Sequence, residues 1–373
     1  MSELVIRAMS LAAPFGRLRD IDAFLASDKS FLTAARANDG TPITEGRCTW
    51  AEESIIGATN GKLRKQVDRS TLLAMSCLQE LAQAHSASSL HRLDDVGLFI
   101  ASQFGGMDFS EIQLANLVAN GPRRVSAYQA IAWFYAATQG QWTIARGSHG
   151  FAKSIAGDLG GFVQTLTAAY AGLRAERFHA AFCGAVDCCL TPYARRILAE
   201  GGHTPEQLGE GGAFFWLERS TRSTGRTSRI AHEVRISRWG SIHLPSAPSS
   251  ATAAEVSELL DCVWPPCLWS TSRLLIVLDG AEDAEFAAVE KLLVEELHSR
   301  VDVVGTVCPK KRFGHLLSGA MPVDVAIAAQ TLSNASRESW ADELSNRPAD
   351  PNCAVVLSLS PYRLLNYVLL HRT

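Results

Sequence analysis

The sequence predicts an α/β fold built from two similar halves. Apolar runs of strand length alternate with helix-length patterns along almost the whole chain, as in α/β proteins whose central strands are buried. A polar, basic stretch over 220–229, STRSTGRTSR, interrupts the alternation. The segments on either side of it end in the same order of strand, turn, helix and strand. We therefore expect an internal duplication, with one half over 1–226 and the other over 227–373.

The first half contains four apolar runs that predict strands, and two longer segments that predict helices. The helical segments carry apolar residues at spacings of three and four, which place them on one helix face. The predicted strands are LVIRAMSL (4–11), DVGLFIAS (95–102), FHAAFCGAV (178–186) and GAFFWLER (212–219), and the predicted helices cover 69–85 and 161–176.

The second half repeats this alternation after a stretch rich in proline and serine at 243–255. The predicted helices cover 252–262, 283–300 and 315–331, and the predicted strands cover 273–280, 301–307, 353–360 and 366–372.

Composition excludes several classes of function. The 373 residues are 47% hydrophobic with a net charge of −3, and lysine and arginine do not cluster strongly, so we expect no nucleic-acid partner. No apolar run approaches the ~18 residues of a membrane span, and the N-terminus lacks the pattern of a secretory signal. We therefore expect a cytoplasmic protein without a membrane partner. The nine cysteines have no paired CxxC spacing, which predicts reduced thiols and no metal.

Common cofactor and hydrolase motifs are absent or broken. GSHGFAKS (147–154) resembles a phosphate-binding loop, but Ala152 replaces the glycine that would let the backbone curl around phosphate. Neither a G-x-G-x-x-G dinucleotide motif nor a G-x-S-x-G elbow occurs. The sequence thus predicts no bound cofactor.

The stretch SIAGDLGG (154–161) predicts a glycine-rich turn between a strand and a helix. Such a turn exposes one side chain at a helix N-terminus, where a nucleophile is often placed. The candidates are Asp158 and Leu159, neither of which carries a thiol or a hydroxyl group.

Two further segments stand out. AWFYAATQGQWTI (132–144) carries four aromatic residues and is interpreted as one helix that packs either in the core or at a subunit interface. CPKKRFGHLLSG (308–319) places Lys310 and His315 at a strand-to-helix junction.

These segments, in this order, resemble the β-ketoacyl synthase branch of the thiolase fold, nearest to the chain-length factors of bacterial type II polyketide synthases. The likeness is dense over 69–226, including the runs at 101–150, CGAVDCCLTPYARRILAEGG (183–202) and LGEGGAFFWLERSTRSTGR (208–226). It implies a thiolase-like fold with αβαβα layers.

The resemblance also implies a degenerate reaction centre. Asp158 or Leu159 stands where active ketosynthases present a cysteine, and Asp279 stands in place of the first family histidine. Lys310 and His315 match the retained lysine and second histidine. The C-terminal glycine-rich loop becomes SPYRLL (360–365), followed by a retained Asn366. Because several required groups are altered together, we expect that this chain does not condense acyl units.

The function implied by the resemblance is that of a noncatalytic chain-length factor. Its expected partners are an active ketosynthase, in a heterodimer, and an acyl carrier protein with its polyketide chain, whether aromatic, polyene or aryl polyene. The residues expected either to line the substrate tunnel and interface or to pack in the core are Met107, Phe109, Ile112, Leu117, Trp133 and Phe134.

Two other functions remain open. One is a decarboxylase or acyltransferase of the ketosynthase fold, in which His315 and Lys310 polarise a thioester. The other is a homodimeric scaffold that binds acyl carrier protein.

Overall fold

A computed structural model gives the fold of most of the chain. The residues that it describes are 3–36, 42–49, 63–88, 92–188, 190–200, 207–220, 233–244, 248–264, 273–280, 284–334, 350–360 and 362–373. The predicted boundary at 226/227 and all but Ser220 of the basic stretch lie outside these residues, so the division into 1–226 and 227–373 remains a prediction.

Thirteen strands are described, and ten of them form one sheet. They are β1 Leu4–Ala12, β2 Thr33–Arg36, β3 Pro42–Gly46, β4 Val96–Ser102, β5 Ala152–Ala156, β6 Ala180–Asp187, β7 Gln207–Gly209, β8 Gly211–Arg219, β9 Val234–His243, β10 Arg273–Leu278, β11 Asp302–Val307, β12 Cys353–Ser360 and β13 Leu364–Arg372. The large sheet runs β11-β10-β12-β13-β9-β1-β8-β6-β4-β5, and a small one runs β2-β3-β7.

The large sheet consists of two five-stranded units with the same strand order. With the strands of each unit numbered in chain order, both units have the spatial order 1-5-4-2-3. The pairs 1-5 and 5-4 are antiparallel, and the pairs 4-2 and 2-3 are parallel. The units join where Leu4 and Val5 of β1 oppose Ile236 and Arg235 of β9. The two similar halves predicted from element order are therefore present in the topology.

Eleven helices occur in the described residues. They are α1 Ile21–Ala26, α2 Arg69–Ser88, α3 Met107–Asn120, α4 Gln129–Ala132, α5 Ala137–Arg146, α6 Gly161–Arg174, α7 Pro192–Glu200, α8 Ala253–Val263, α9 Ala284–Arg300, α10 Lys310–Phe313 and α11 Ala320–Asn334. None of these described helices is both long and apolar enough to cross a bilayer.

Helices α6 and α11 form the central layer. Helix α6 contacts β4 and β6 of the first unit and also β9 of the second, whereas α11 contacts β12 and β13 as well as β8. Nearly every side chain of α11 from Ala320 to Ala329 is buried, as expected for a helix covered on all sides. Helix α2 covers the outer side of the first unit, and α8 and α9 cover that of the second. The αβαβα layering is confirmed.

Most predicted elements are confirmed to within a few residues, but two predictions are wrong. The helix predicted over 315–331 begins only at Ala320, because Gly314 and Leu317 have positive φ angles of 84° and 55° that no right-handed helix accommodates.

The segment 132–144 is likewise not one helix. Helix α4 ends at Ala132 and α5 begins at Ala137, with a turn between them. The backbone of this turn packs against another turn of the chain: the amide of Gly106 donates to the carbonyl of Trp133, and a Cβ at Gly106 would lie 1.7 Å from the carbonyl oxygen of Ala132. This contact directs the Trp133 carbonyl away from a helical partner.

Candidate functional site

The candidate site lies where the carboxyl ends of β10 and β12 meet the N-terminus of α6. Ser358 and Ser360, two residues apart near the end of β12, point to the same face. The hydroxyl of Ser360 donates to Oδ2 of Asp158 at 2.9 Å, and that of Ser358 donates to Oδ2 of Asp279 at 3.4 Å. The two aspartates predicted at degenerate positions therefore lie in one site, where each accepts a hydrogen bond from one of these two serines.

Asp158 occupies the predicted turn between β5 and α6. Its Oδ1 accepts the amide of Gly160 at 3.0 Å, an interaction typical of a polar residue at a helix start. The positive end of the helix dipole also favours a carboxylate here. Leu159, the other candidate, is 3% exposed and belongs to the core. Neither position presents a nucleophilic thiol or hydroxyl.

Asn366 belongs to the same site. It lies on β13 directly opposite Ser358, is fully buried, and accepts the hydroxyl of Ser241 at 2.6 Å. Its Oδ1 approaches the α6 turn so closely that a Cβ at Gly160 would lie 2.9 Å away. A glycine is therefore needed where α6 starts, and the retained asparagine contributes to the wall behind it.

Lys310 and His315 approach Asp279 from the strand-to-helix junction predicted for them. Nδ1 of His315 lies 4.0 Å from Oδ1 of Asp279, and both side chains are buried. Nζ of Lys310 donates to the carbonyl of Gly280 at 3.0 Å. The backbone of His315 is fixed on both sides, since its amide donates to Gln207 and its carbonyl accepts the amide of Gly209.

Asp324 of α11 is an additional carboxyl group that the sequence reasoning missed. It is buried, and its pKa is raised well above the ordinary value by burial and then by the charge of Asp279, while Lys310 opposes the rise. A single aspartate in the apolar run AMPVDVAIAA was the available signal. The arrangement places a second acidic group beside Asp279 and gives the site an acidic character.

Asp187 is a second missed residue, and it links the two halves near the site. From the first half it accepts the hydroxyl of Ser102 at 2.7 Å and the amides of Gln103 and Phe104 at 2.9 and 3.2 Å. From the second half it accepts the amide and the hydroxyl of Ser318 at 3.1 and 2.5 Å. Burial raises the pKa of Asp187, and these hydrogen bonds oppose the rise.

The six residues proposed for the tunnel or interface separate into two groups. Met107 and Phe109, in the first turn of α3, are half-buried, and Met107 packs against the small cluster that contains Phe104 and Leu317. The other four are exposed, which excludes the core interpretation for them in the isolated chain. Their exposed fractions are 54% for Ile112, 41% for Leu117, 51% for Trp133 and 53% for Phe134.

These four belong to a larger set of exposed apolar side chains in one segment of the chain, here called the apolar face. Ten of the thirteen large hydrophobic side chains that are exposed in the described residues lie within 112–151. Soluble monomers rarely expose so many together, so the apolar face has the character of an interaction surface. Its members are Ile112, Leu114, Leu117, Val118, Tyr128, Ile131, Trp133, Phe134, Ile144 and Phe151.

Comparison with known proteins gives a consistent result, although no family model matches the chain. A protein named polyketide beta-ketoacyl synthase 2 from Streptomyces halstedii is 37% identical over 340 residues, which cover 79% of this chain and 78% of the relative. The tetracenomycin polyketide synthase ketoacyl synthase beta subunit of Streptomyces glaucescens is 26% identical over 359 residues, covering 87% and 84%.

Solved structures share the fold at low sequence identity. The ketosynthase of Xenorhabdus doucetiae in complex with its chain length factor matches with a TM-score of 0.77 at 12% identity, covering 100% of this chain and 98% of the other. The ishigamide ketosynthase/chain length factor matches with a TM-score of 0.73 at 15% identity, covering 99% of each. The thiolase-like fold expected from the sequence is thus confirmed.

Proposed function

Because the chain belongs to the β-ketoacyl synthase family, among the β subunits of type II polyketide synthases, we propose that it is a noncatalytic chain-length factor. In this role it pairs with an active ketosynthase, and its apolar side chains limit the length of the chain that grows on an acyl carrier protein. Two of the structural neighbours are a ketosynthase with a chain length factor, and a third is an acyl-carrier protein in complex with its ketosynthase.

The observation that carries the proposal is the side chain at the start of α6. A condensing enzyme needs a thiolate there to accept the acyl group. Asp158 instead has both carboxylate oxygens engaged, one by the amide of Gly160 and the other by the hydroxyl of Ser360. A carboxylate held in this way stabilises the turn before α6, and its side chain carries no thiol or hydroxyl group that could accept an acyl chain.

The surroundings of Asp279 support the same conclusion. Condensation and decarboxylation develop negative charge on a thioester oxygen, and donors directed at that oxygen stabilise it. The carboxylate of Asp279 lies 4.0 Å from Nδ1 of His315, and it is close enough to Asp324 to raise the pKa of that carboxyl group. A negative charge at this place opposes the charge that develops on the thioester oxygen. Loss of a single oxyanion donor costs ~100-fold or more in rate.

Pairing with a second subunit is supported by the apolar face and by the strand beside it. β5 is the outer strand of the large sheet at that end, and Phe151, which immediately precedes it, is 44% exposed. An outer strand offers unpaired backbone groups to another chain. A partner that covers this edge also removes the apolar face from water, which is favourable by ~25 cal/mol for each Å² of apolar surface.

The proposed length-limiting residues stand at the inner border of the apolar face. Met107 and Phe109 begin α3 within the body of the chain, and Ile112 and Leu117 follow on the exposed part of the helix. Trp133 and Phe134 lie in the turn that packs against Gly106. In a complex these side chains form part of an apolar wall between subunits, as a hydrocarbon-like chain requires.

The retained Lys310 and His315 are the observation that favours a second candidate, a decarboxylase or acyltransferase. Release of carbon dioxide from malonyl carrier protein by the purified chain alone, lost in His315→Ala, would support that candidate. The homodimeric scaffold makes a different prediction, namely a stable dimer without any ketosynthase.

Reconstitution with an active ketosynthase of a type II polyketide synthase, a carrier protein and malonyl units tests the proposal through product mass. Phe109→Ala is expected to lengthen the products, because a shorter side chain moves the end of the tunnel outward. Trp133→Ala should act in the same direction. Phe286→Ala, which removes a half-buried phenylalanine from the outer layer of the second half, is the matched control. Unchanged product lengths in both test variants would argue against the steric role.

A further inference from the structure

The segment that carries the apolar face contains more basic than acidic residues. Between 107 and 156 the chain has two acidic residues, Asp108 and Glu111, and four lysine or arginine residues. These four are called the basic rim, and they are Arg123, Arg124, Arg146 and Lys153. The segment therefore carries a net charge of +2 in a chain whose net charge is −3.

The two acidic residues serve contacts within the chain. Asp108 lies near Glu210 and Arg69, and burial raises its pKa. The carboxylate of Glu111 accepts the backbone amide of Tyr193 at 3.2 Å. Neither group is directed at the basic rim in these contacts, so the rim keeps its positive charge at the border of the apolar face.

Each member of the basic rim lies close along the chain to exposed side chains of the apolar face. Arg123 and Arg124 are exposed directly after α3, whose last turns expose Leu117 and Val118. The guanidinium of Arg146 lies 4.9 Å from the ring centre of Trp142, close along the chain to Ile144, which is 76% exposed. Lys153 is exposed on the outer strand β5, beside Phe151.

We infer that the basic rim selects a partner of related fold whose facing surface is apolar with a border of carboxylates, and that it disfavours a second copy of this chain. This inference rests on the proposed pairing, and it adds the sign of the charges that the partner carries around its facing surface. In a two-fold self-association the same patch would meet itself, so four cations would face four cations. Opposite charges across a border accelerate encounter, whereas like charges cost free energy.

The extent of the surface favours a folded subunit as the occupant. A standard interface contains ~20–30 residues on each side. The segment 107–156 spans fifty residues, and exposed apolar side chains occur from Ile112 to Phe151. A short peptide would leave much of this surface in water, whereas a subunit with its own large face would cover it.

Association kinetics at two salt concentrations test the inference. In the triple variant Arg123→Glu, Arg124→Glu, Lys153→Glu, association with the ketosynthase that pairs with the unchanged chain should be at least tenfold slower at 50 mM salt and nearly normal at 500 mM, because salt screens exposed charges. The control is Arg19→Glu, Arg196→Glu, Lys291→Glu, which reverses three exposed charges outside the rim and should associate like the unchanged protein.

A second variant separates this inference from the proposed function. Val118→Asp places a charge on the most exposed side chain of the apolar face, at 87% exposure, and should abolish the complex at both salt concentrations. If it does so while the rim variant associates at the normal rate, the pairing stands and the charge selection is wrong. If neither variant weakens the complex, both ideas fail. A stable self-dimer of the unchanged chain at 50 mM salt would also contradict the charge selection.

Discussion

At the scale of single residues, carboxyl groups account for most of the character of the site. Asp158 and Asp279 were identified from the sequence because the resemblance aligned them with family positions. Asp324 and Asp187 were not, because each reaches the site from an element distant in the chain, and no local pattern marks the contact. The sequence therefore predicts which groups have been lost from the site, whereas the structure is needed to find those that surround it.

Asp187→Asn tests the link between the halves. One carboxylate oxygen of Asp187 accepts the amide of Phe104, and the other accepts that of Ser318. In the variant, the side-chain NH₂ group replaces one of these two oxygens, so two N–H donors face each other and the backbone donor cannot change direction. We therefore expect the unfolding free energy to fall by ~1–3 kcal/mol. Urea unfolding measures it, and Asp302→Asn on the surface is the control, with an expected change of less than ~0.5 kcal/mol. Equal losses in the two variants would contradict the role.

Asp158→Ala tests whether the carboxylate at the start of α6 has any chemical role. The variant removes the hydrogen bonds of Asp158 with the amide of Gly160 and the hydroxyl of Ser360, which contribute ~0.5–1.5 kcal/mol each to stability. Turnover of the assembled complex should stay within about twofold of normal, since these hydrogen bonds contribute to folding and not to the reaction. Loss of turnover with the complex still assembled would show that Asp158 takes part in the chemistry.

At the scale of elements, α3 shows how far a sequence pattern can be followed. Its buried positions in the structure are the polar Ser110 and Gln113, whereas the apolar Leu114 and Val118 are exposed. Periodicity identifies an apolar stripe without saying whether this chain or a partner covers it. The strands were easier to predict, because runs such as CAVVL (353–357) are apolar and buried on both faces.

The start of α3 gives a prediction about pH. Burial raises the pKa of Asp68 from 3.8 to about 7, against hydrogen bonds from Ser70 and from the amide of Phe109. The folded chain then binds a proton more tightly than the unfolded chain. This contribution to stability is present below about pH 4 and is lost as the pH rises through about 7, by at most ~1.4 kcal/mol per pH unit.

To test the predicted direction of this pH dependence, the unfolding free energy is measured from pH 4 to 8 for the unchanged chain and for Asp68→Asn. Other buried carboxyl groups titrate in both proteins, so the difference between the two curves isolates Asp68. Stability of the unchanged chain should fall more steeply between pH 4 and 7. Parallel curves would show that Asp68 does not change its proton binding on folding.

At the scale of the whole molecule, the two similar units place the site at their seam and the apolar face at one end of the sheet. The order of elements predicted the duplication, because each unit must bury the same arrangement of strands around a central helix. The contacts across the seam, such as Ser360 with Asp158, could not be predicted, since they depend on how the units pack. The cytoplasmic location remains a prediction from the sequence.

In the proposed complex, acyl transfer occurs on the partner and never on this chain. Intact masses of both subunits, taken from the complex during turnover with loaded carrier protein, test it most directly. An acyl adduct is expected on the ketosynthase subunit, together with an unmodified mass for this chain. A covalent acyl adduct on this chain would show that it takes part in acyl transfer itself.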